Sequence, residues 1–123
     1  MVALADTSLS ATERRVLDRF VRLLEDEYGD DLRSVWLFGS RARGEQPEPE
    51  SDVDVLVVAT RASLDDHLRV TKLMDRAAEP EGVNPVFFAT LVYSPERVAQ
   101  RRRIRSFFMQ EVDRDKIVLY GEP

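Results

Sequence analysis

The sequence predicts an α/β chain of the α+β kind: a small mixed sheet of about four strands with helices packed against it. Three observations carry that expectation. Leu17, Phe20, Val21, Leu24 and Tyr28 recur at helical spacing between a serine cap and a glycine. The runs 32–38 and 52–59 are apolar on both faces, as strands covered by helices are. A length of 123 residues with 43% hydrophobic content suits one core and is short for two, so residues 1–123 are expected to be a single domain.

Taken in order, Ser10 and Glu13 have the spacing of a capping box, which starts the first helix, and Gly29 stands where its C-terminal cap belongs. The first strand is expected over Leu32–Phe38 and ends at Gly39. Residues 45–51 carry two prolines and three glutamates and read as a solvated loop. A second strand follows from Asp52 to Ala59. Between Ser63 and Ala78 a weaker helical stripe runs through Leu64, Leu68, Thr71 and Met74 or Ala78, closed by Pro80 and Gly82. A third strand is expected over Val83–Val92, with Pro85 at its edge. Ser94-Pro95 opens a basic helical region ending near Asp113, and Lys116–Tyr120 forms a last short strand.

Composition narrows the chemistry. There is no cysteine, which excludes disulfides, thiol nucleophiles and cysteine-ligated metals. The single histidine, His67, cannot build a histidine metal site and reads as a solvated or partly packed residue of the second helix. Residues 1–6 lack the charge and apolar run of a signal peptide, and no stretch of about eighteen apolar residues exists, so a cytoplasmic protein without a membrane span is expected. The net charge of -5 argues against general electrostatic binding of duplex nucleic acid. Acid collects at Glu45, Glu48, Glu50, Asp52 and Asp54, whereas Arg97, Arg101, Arg102, Arg103 and Arg105 crowd one later segment. That run reads first as a solvated helix face, with an RNA acceptor as the lesser alternative.

The stretch that carries chemistry is Gly39-Ser40-Arg41-Ala42-Arg43-Gly44, followed after a short loop by Ser51-Asp52-Val53-Asp54. A Gly-Ser pair leaving a strand lets backbone amides and a hydroxyl approach phosphate oxygens, and a helical turn begun at Ser40 aims its positive end at them. Asp52 and Asp54 lie two apart in a strand, on one face, roughly 6.5–7 Å apart at the backbone. Both can reach one divalent cation or a pair of them, and magnesium is satisfied by one or two carboxylates together with substrate phosphates. Arg41 and Arg43 flank the cradle as candidate triphosphate ligands, against the alternative of pairing with the acidic loop. Trp36 and Phe38 share a strand face and read as core; Phe107 and Phe108 read as core or as a partner-facing patch.

These residues resemble the signature of the minimal nucleotidyltransferases of the DNA polymerase β superfamily, specifically over residues 35–58 and loosely from there to Gly121. The resemblance implies a metal site at Asp52 and Asp54 holding magnesium or manganese, and a nucleoside triphosphate bound at Gly39, Ser40, Arg41 and Arg43. It implies transfer of a nucleoside monophosphate from ATP or another triphosphate to a protein or RNA hydroxyl. It also implies a small helical toxin-type protein as partner, many relatives being antitoxins; a homodimer is compatible with the sequence. The family's third acid, on a following strand, has no counterpart here: the corresponding run Gly82–Thr90 has no carboxylate, and alignment puts Phe87 at that place. The alternative is therefore an antitoxin-like nucleotide-binding subunit with little or no transferase activity.

Overall fold

In a computed structural model that describes residues 7–45 and 52–123, Ser10 caps the first helix. Its hydroxyl accepts from the Glu13 amide at 3.0 Å, and the Glu13 carboxylate accepts from the Ser10 amide at 2.8 Å. The helix so started, α1 (Ala11–Tyr28), buries Val16, Leu17, Phe20, Leu24 and Tyr28. Val21, on the edge of the predicted stripe, is half-buried against the same core.

The sheet is mixed, as expected, with four strands in the order β3-β2-β1-β4. β1 (Leu32–Phe38) lies antiparallel to β2 (Val53–Ala59) on one side and to β4 (Ile117–Gly121) on the other. β3 (Phe88–Tyr93) runs parallel to β2, and α2 (Leu64–Ala78) makes the crossover that a parallel pair requires.

Helices cover both faces of this sheet. Alternate residues Val53, Val55, Val57 and Ala59 of β2 face α1 and α2, in a core with Val35, Leu37, Val70 and Met74. The other set, Leu56 and Val58, packs with Trp36, Val98, Met109 and Val112 beneath α3 (Pro95–Arg103) and α4 (Phe107–Asp115). Trp36 and Phe38 belong to this second layer, as the sequence suggested. Period two places Asp54 on the α3/α4 face, near the open end where β2 begins, with Asp52 just ahead of the strand.

Three elements differ from expectation. The buried stripe of α2 is Val70, Leu73, Met74 and Ala77 at i, i+3, i+4 and i+7, so Leu64 and Leu68 are 76% and 57% exposed. The apolar leucines lie on the wrong side because the helix is anchored by Asp66, whose carboxylate accepts from the Tyr28 hydroxyl at 2.9 Å and from the Ser63 amide. The third strand starts at Phe88 instead of Val83: Asn84 caps a short 3-10 turn over Pro85–Phe87, which takes those residues out of the ladder. The basic helical region is two helices. Arg105 at φ 52 breaks them, and the Ser106 hydroxyl caps the second by accepting from the Met109 amide at 3.2 Å. Most of the predicted loop 45–51 lies outside the described residues, as do residues 1–6.

Candidate active site

β1 ends at a position that favours glycine. Gly39 sits at φ 81, in the left-handed region, and a Cβ built there would lie 2.5 Å from Asp54 Oδ2. The register accounts for this closeness: Phe38 on β1 is the partner of Asp54 on β2, and Ala89 is its partner on β3. The Asp54 carboxylate is thus seated against bare backbone at the start of the turn. It is half-buried, and that burial, followed by the neighbouring Asp52 charge, pushes its pKa up to about 6. Asp52 stands just ahead of β2 and is exposed.

The segment after Gly39 is a turn closed by three backbone hydrogen bonds. The Arg43 amide donates to the Gly39 carbonyl at 3.2 Å, the Gly44 amide to Arg41 at 3.3 Å and the Glu45 amide to Ser40 at 3.1 Å. The amide of half-buried Ser40 reaches no acceptor among the described residues, whereas Ala42 is fully buried in the core. A backbone amide left over in a turn that follows a strand is a donor that an anion can use.

The two arginines of the motif part company. Arg41 is 5% exposed; it donates to the Ser8 hydroxyl at 3.0 Å and carbonyl at 2.9 Å and pairs with Glu13. It anchors the turn to the capped start of α1, away from the open face. Arg43 pairs with Asp115 at 2.7 Å and with Glu45 at 3.0 Å, and its side chain is 36% exposed. Both pairings push its pKa up, the Glu45 hydrogen bond most. Asp115, Ser8 and Glu13 were not singled out in the sequence as residues of the site. Of these only Glu13 left a signal, its capping box, and that signal concerned the helix.

The third-acid position also moves. Phe87 is in the turn before β3, whereas the residue level with Asp54 is Ala89, which is exposed. His67 lies half-buried on α2, with Asp54 on the opposite face of the sheet. The arginine run is partly spent on packing: Arg102 pairs with Asp113 at 2.8 Å and lies over Trp36, and Arg97 lies over Tyr93. Among the described residues no group of three or more metal-ligating side chains exists. The two carboxylates still suit a hard divalent cation, because the space that a Gly39 Cβ would fill is given to an Asp54 oxygen and the remaining ligands can come from phosphate.

The profile of the nucleotidyltransferase domain matches residues 17–119. The chain belongs to that family. Over 44 residues it is 52% identical to a protein of Methanocaldococcus jannaschii assigned as a protein adenylyltransferase, covering 36% of this chain and 29% of that protein. A second protein of that organism with the same assignment is 41% identical over 46 residues, covering 37% and 45%. The chain therefore matches less than half the length of these curated relatives. Among solved structures, a toxin–antitoxin with AMP-PNP superposes with a TM-score of 0.55 at 20% identity, covering 85% of this chain and 73% of that one. A Sulfolobus solfataricus protein assigned as a nucleotidyltransferase gives 0.55 at 18%, covering 94% and 87%. A mutant of the toxin–antitoxin pair MntA-HpeT gives 0.54 at 20%, covering 86% and 72%. At these identities the likeness establishes the fold. No helix among the described residues is long and apolar enough to cross a membrane.

Proposed function

We propose that the chain is a metal-dependent nucleotidyltransferase that moves a nucleoside monophosphate from ATP to a hydroxyl on a partner protein. The observation that carries this reading is the contact between Gly39 and Asp54: a half-buried carboxylate occupies the space of an absent Cβ, beside a turn whose Ser40 amide is unspent. A purely structural turn has no use for an acid held at that cost.

In the reaction, the acceptor oxygen forms a bond to the α-phosphorus, the α–β phosphoanhydride breaks, pyrophosphate leaves with its electron pair, and the hydroxyl proton passes to water. Asp52 and Asp54 hold magnesium or manganese, which when bound neutralises charge on the phosphate oxygens. The Ser40 amide and hydroxyl orient the triphosphate. Arg43, 36% exposed, would meet the phosphates, while buried Arg41 supports the turn. The assignments of the M. jannaschii relatives favour a protein acceptor over RNA, and the toxin–antitoxin neighbours favour a small toxin-type partner.

One observation favours the second reading, a nucleotide-binding antitoxin subunit with little transfer. Ala89, level with Asp54, supplies neither a ligand nor a base. Incubation with α-labelled ATP, magnesium and the product of the neighbouring gene separates the two. Label on protein supports transfer; nucleotide binding without label supports the second reading; absence of both contradicts the proposal.

A further inference from the structure

Asp115, the last residue of α4, carries a buried carboxylate at a position with two costs. The C-terminal end of a helix bears partial negative charge, which disfavours an acid there, and burial removes the hydration of the charge. Two arginines offset these costs. The Arg114 guanidinium donates to both carboxylate oxygens, at 2.9 and 3.1 Å, and Arg43 donates to Oδ2 at 2.7 Å. They differ in kind. Arg114 is the adjacent residue and is 64% exposed, whereas Arg43 comes from the Gly39–Gly44 turn, 72 residues away in sequence.

The same helix touches the site at its other end. Phe108 sits edge-to-face on Phe38, ring centroids 5.4 Å apart, and Phe38 is the β1 partner of Asp54. Packing alone would be served as well by an apolar residue at 115, because a buried ion pair is commonly no more stabilising than a hydrophobic replacement. What the pair adds is a fixed place for Arg43. Its other contact, with the 55% exposed Glu45, lies open to solvent and is the one that an incoming phosphate oxygen can replace.

We infer that Asp115 is a positioning residue of the nucleotide site, holding Arg43 and with it the Gly39–Gly44 turn in the conformation that receives the triphosphate. The inference rests on reading that turn as the phosphate cradle. Two measurements on Asp115→Asn test it: amide hydrogen exchange of residues 39–45 without nucleotide, and calorimetric affinity for ATP with magnesium. Exchange in the turn should quicken about tenfold while α1 and β2 keep their protection. Affinity should fall about 10- to 100-fold, the loss typical when the support behind a ligand-binding group is removed.

Arg43→Gln breaks the pair from its solvent-accessible side and should reproduce both effects even where the Asp115 variant fails to fold. The double variant should be no weaker than Arg43→Gln alone. Arg114→Ala should lower stability but leave exchange of residues 39–45 and ATP affinity at the wild-type level; a loss of affinity equal to that of Asp115→Asn would mean that the effect comes from disturbing the end of α4 and not from releasing Arg43, overturning the inference. Unchanged exchange and affinity in folded Asp115→Asn overturn it while leaving the nucleotide site intact. A wild type that binds no ATP overturns both readings.

Discussion

Replacing Gly39 by alanine should separate the stability of the turn from the function of the carboxylate beside it. The backbone at φ 81 costs a residue with a Cβ about 1–2 kcal/mol. For a chain of this size that lowers the melting temperature by about 4–8 °C. The added methyl also lies 2.5 Å from Asp54 Oδ2, about an ångström inside ordinary contact. The obstacle is the end of a rotatable side chain, so the carboxylate swings away and the steric cost is relieved. Its place at the mouth of β2 is lost, however, and displacing a ligand by about 1 Å can cost on the order of 100-fold.

Gly82→Ala is the comparison. Gly82 has φ 67 but nothing within 4 Å of a built Cβ, so it should show a similar thermal loss with nucleotide affinity unchanged. Thermal melts and ATP calorimetry in magnesium on both variants form the assay. A Gly39→Ala protein that binds ATP as wild type does would refute the role given to the contact with Asp54.

Further outcomes follow from the same geometry. Asp54 has a folded pKa of about 6, raised from 3.8, so its stabilising contribution is complete below about pH 4 and is lost as pH rises through 6. Asp54→Asn should therefore melt higher than wild type at pH 7 in metal-free buffer and converge with it near pH 4; a lower melt at pH 7 would mark the residue as structural. Protons compete with metal for the same oxygens, so magnesium-dependent ATP affinity in wild type should weaken as pH falls through 6, and pH-independent affinity between 5 and 8 would count against Asp54 as a ligand. Asp52→Asn should lose that affinity with little change in melting temperature, because Asp52 is exposed. Ala89→Asp puts a third carboxylate level with Asp54 and should raise transfer to a supplied acceptor, by about 10²–10⁴-fold if the new group acts as a general base. Phe87→Asp, in the turn ahead of the strand, should not; the reverse result would mean that the register used here is wrong.

The elements that local rules dominate were legible in the sequence. The capping box of α1, the boundaries of β1 and the valine run of β2 appear as read, because cap chemistry and two-sided burial leave direct marks on residue type. Those set by partners were not. Leu64 and Leu68 look like a core stripe, yet α2 turns them outward because Asp66 and Val70 are bound to α1 and the sheet. The Val83–Val92 run reads as one strand until the Asn84 cap removes its first half. At the site, the sequence placed the turn at Gly39 and Ser40 beside the strand start at Asp52 and Asp54, and the approach of Gly39 to Asp54 agrees with that placement. It could not divide Arg41 from Arg43: the pairing of Arg43 with Glu45 of the acidic loop was among the alternatives, but Ser8, Glu13 and Asp115 are distant in sequence from the arginines they hold.

Nucleotide and divalent cation should be held only together, since Asp52 and Asp54 offer too few ligands for magnesium without phosphate oxygens. ATP titrated calorimetrically into wild type at pH 8, once with magnesium and once with a chelator, tests this directly. The expected result is saturable binding in magnesium that the chelator abolishes and that Asp54→Asn lacks in either buffer. Equal ATP affinity with and without magnesium, retained by Asp54→Asn, would contradict it.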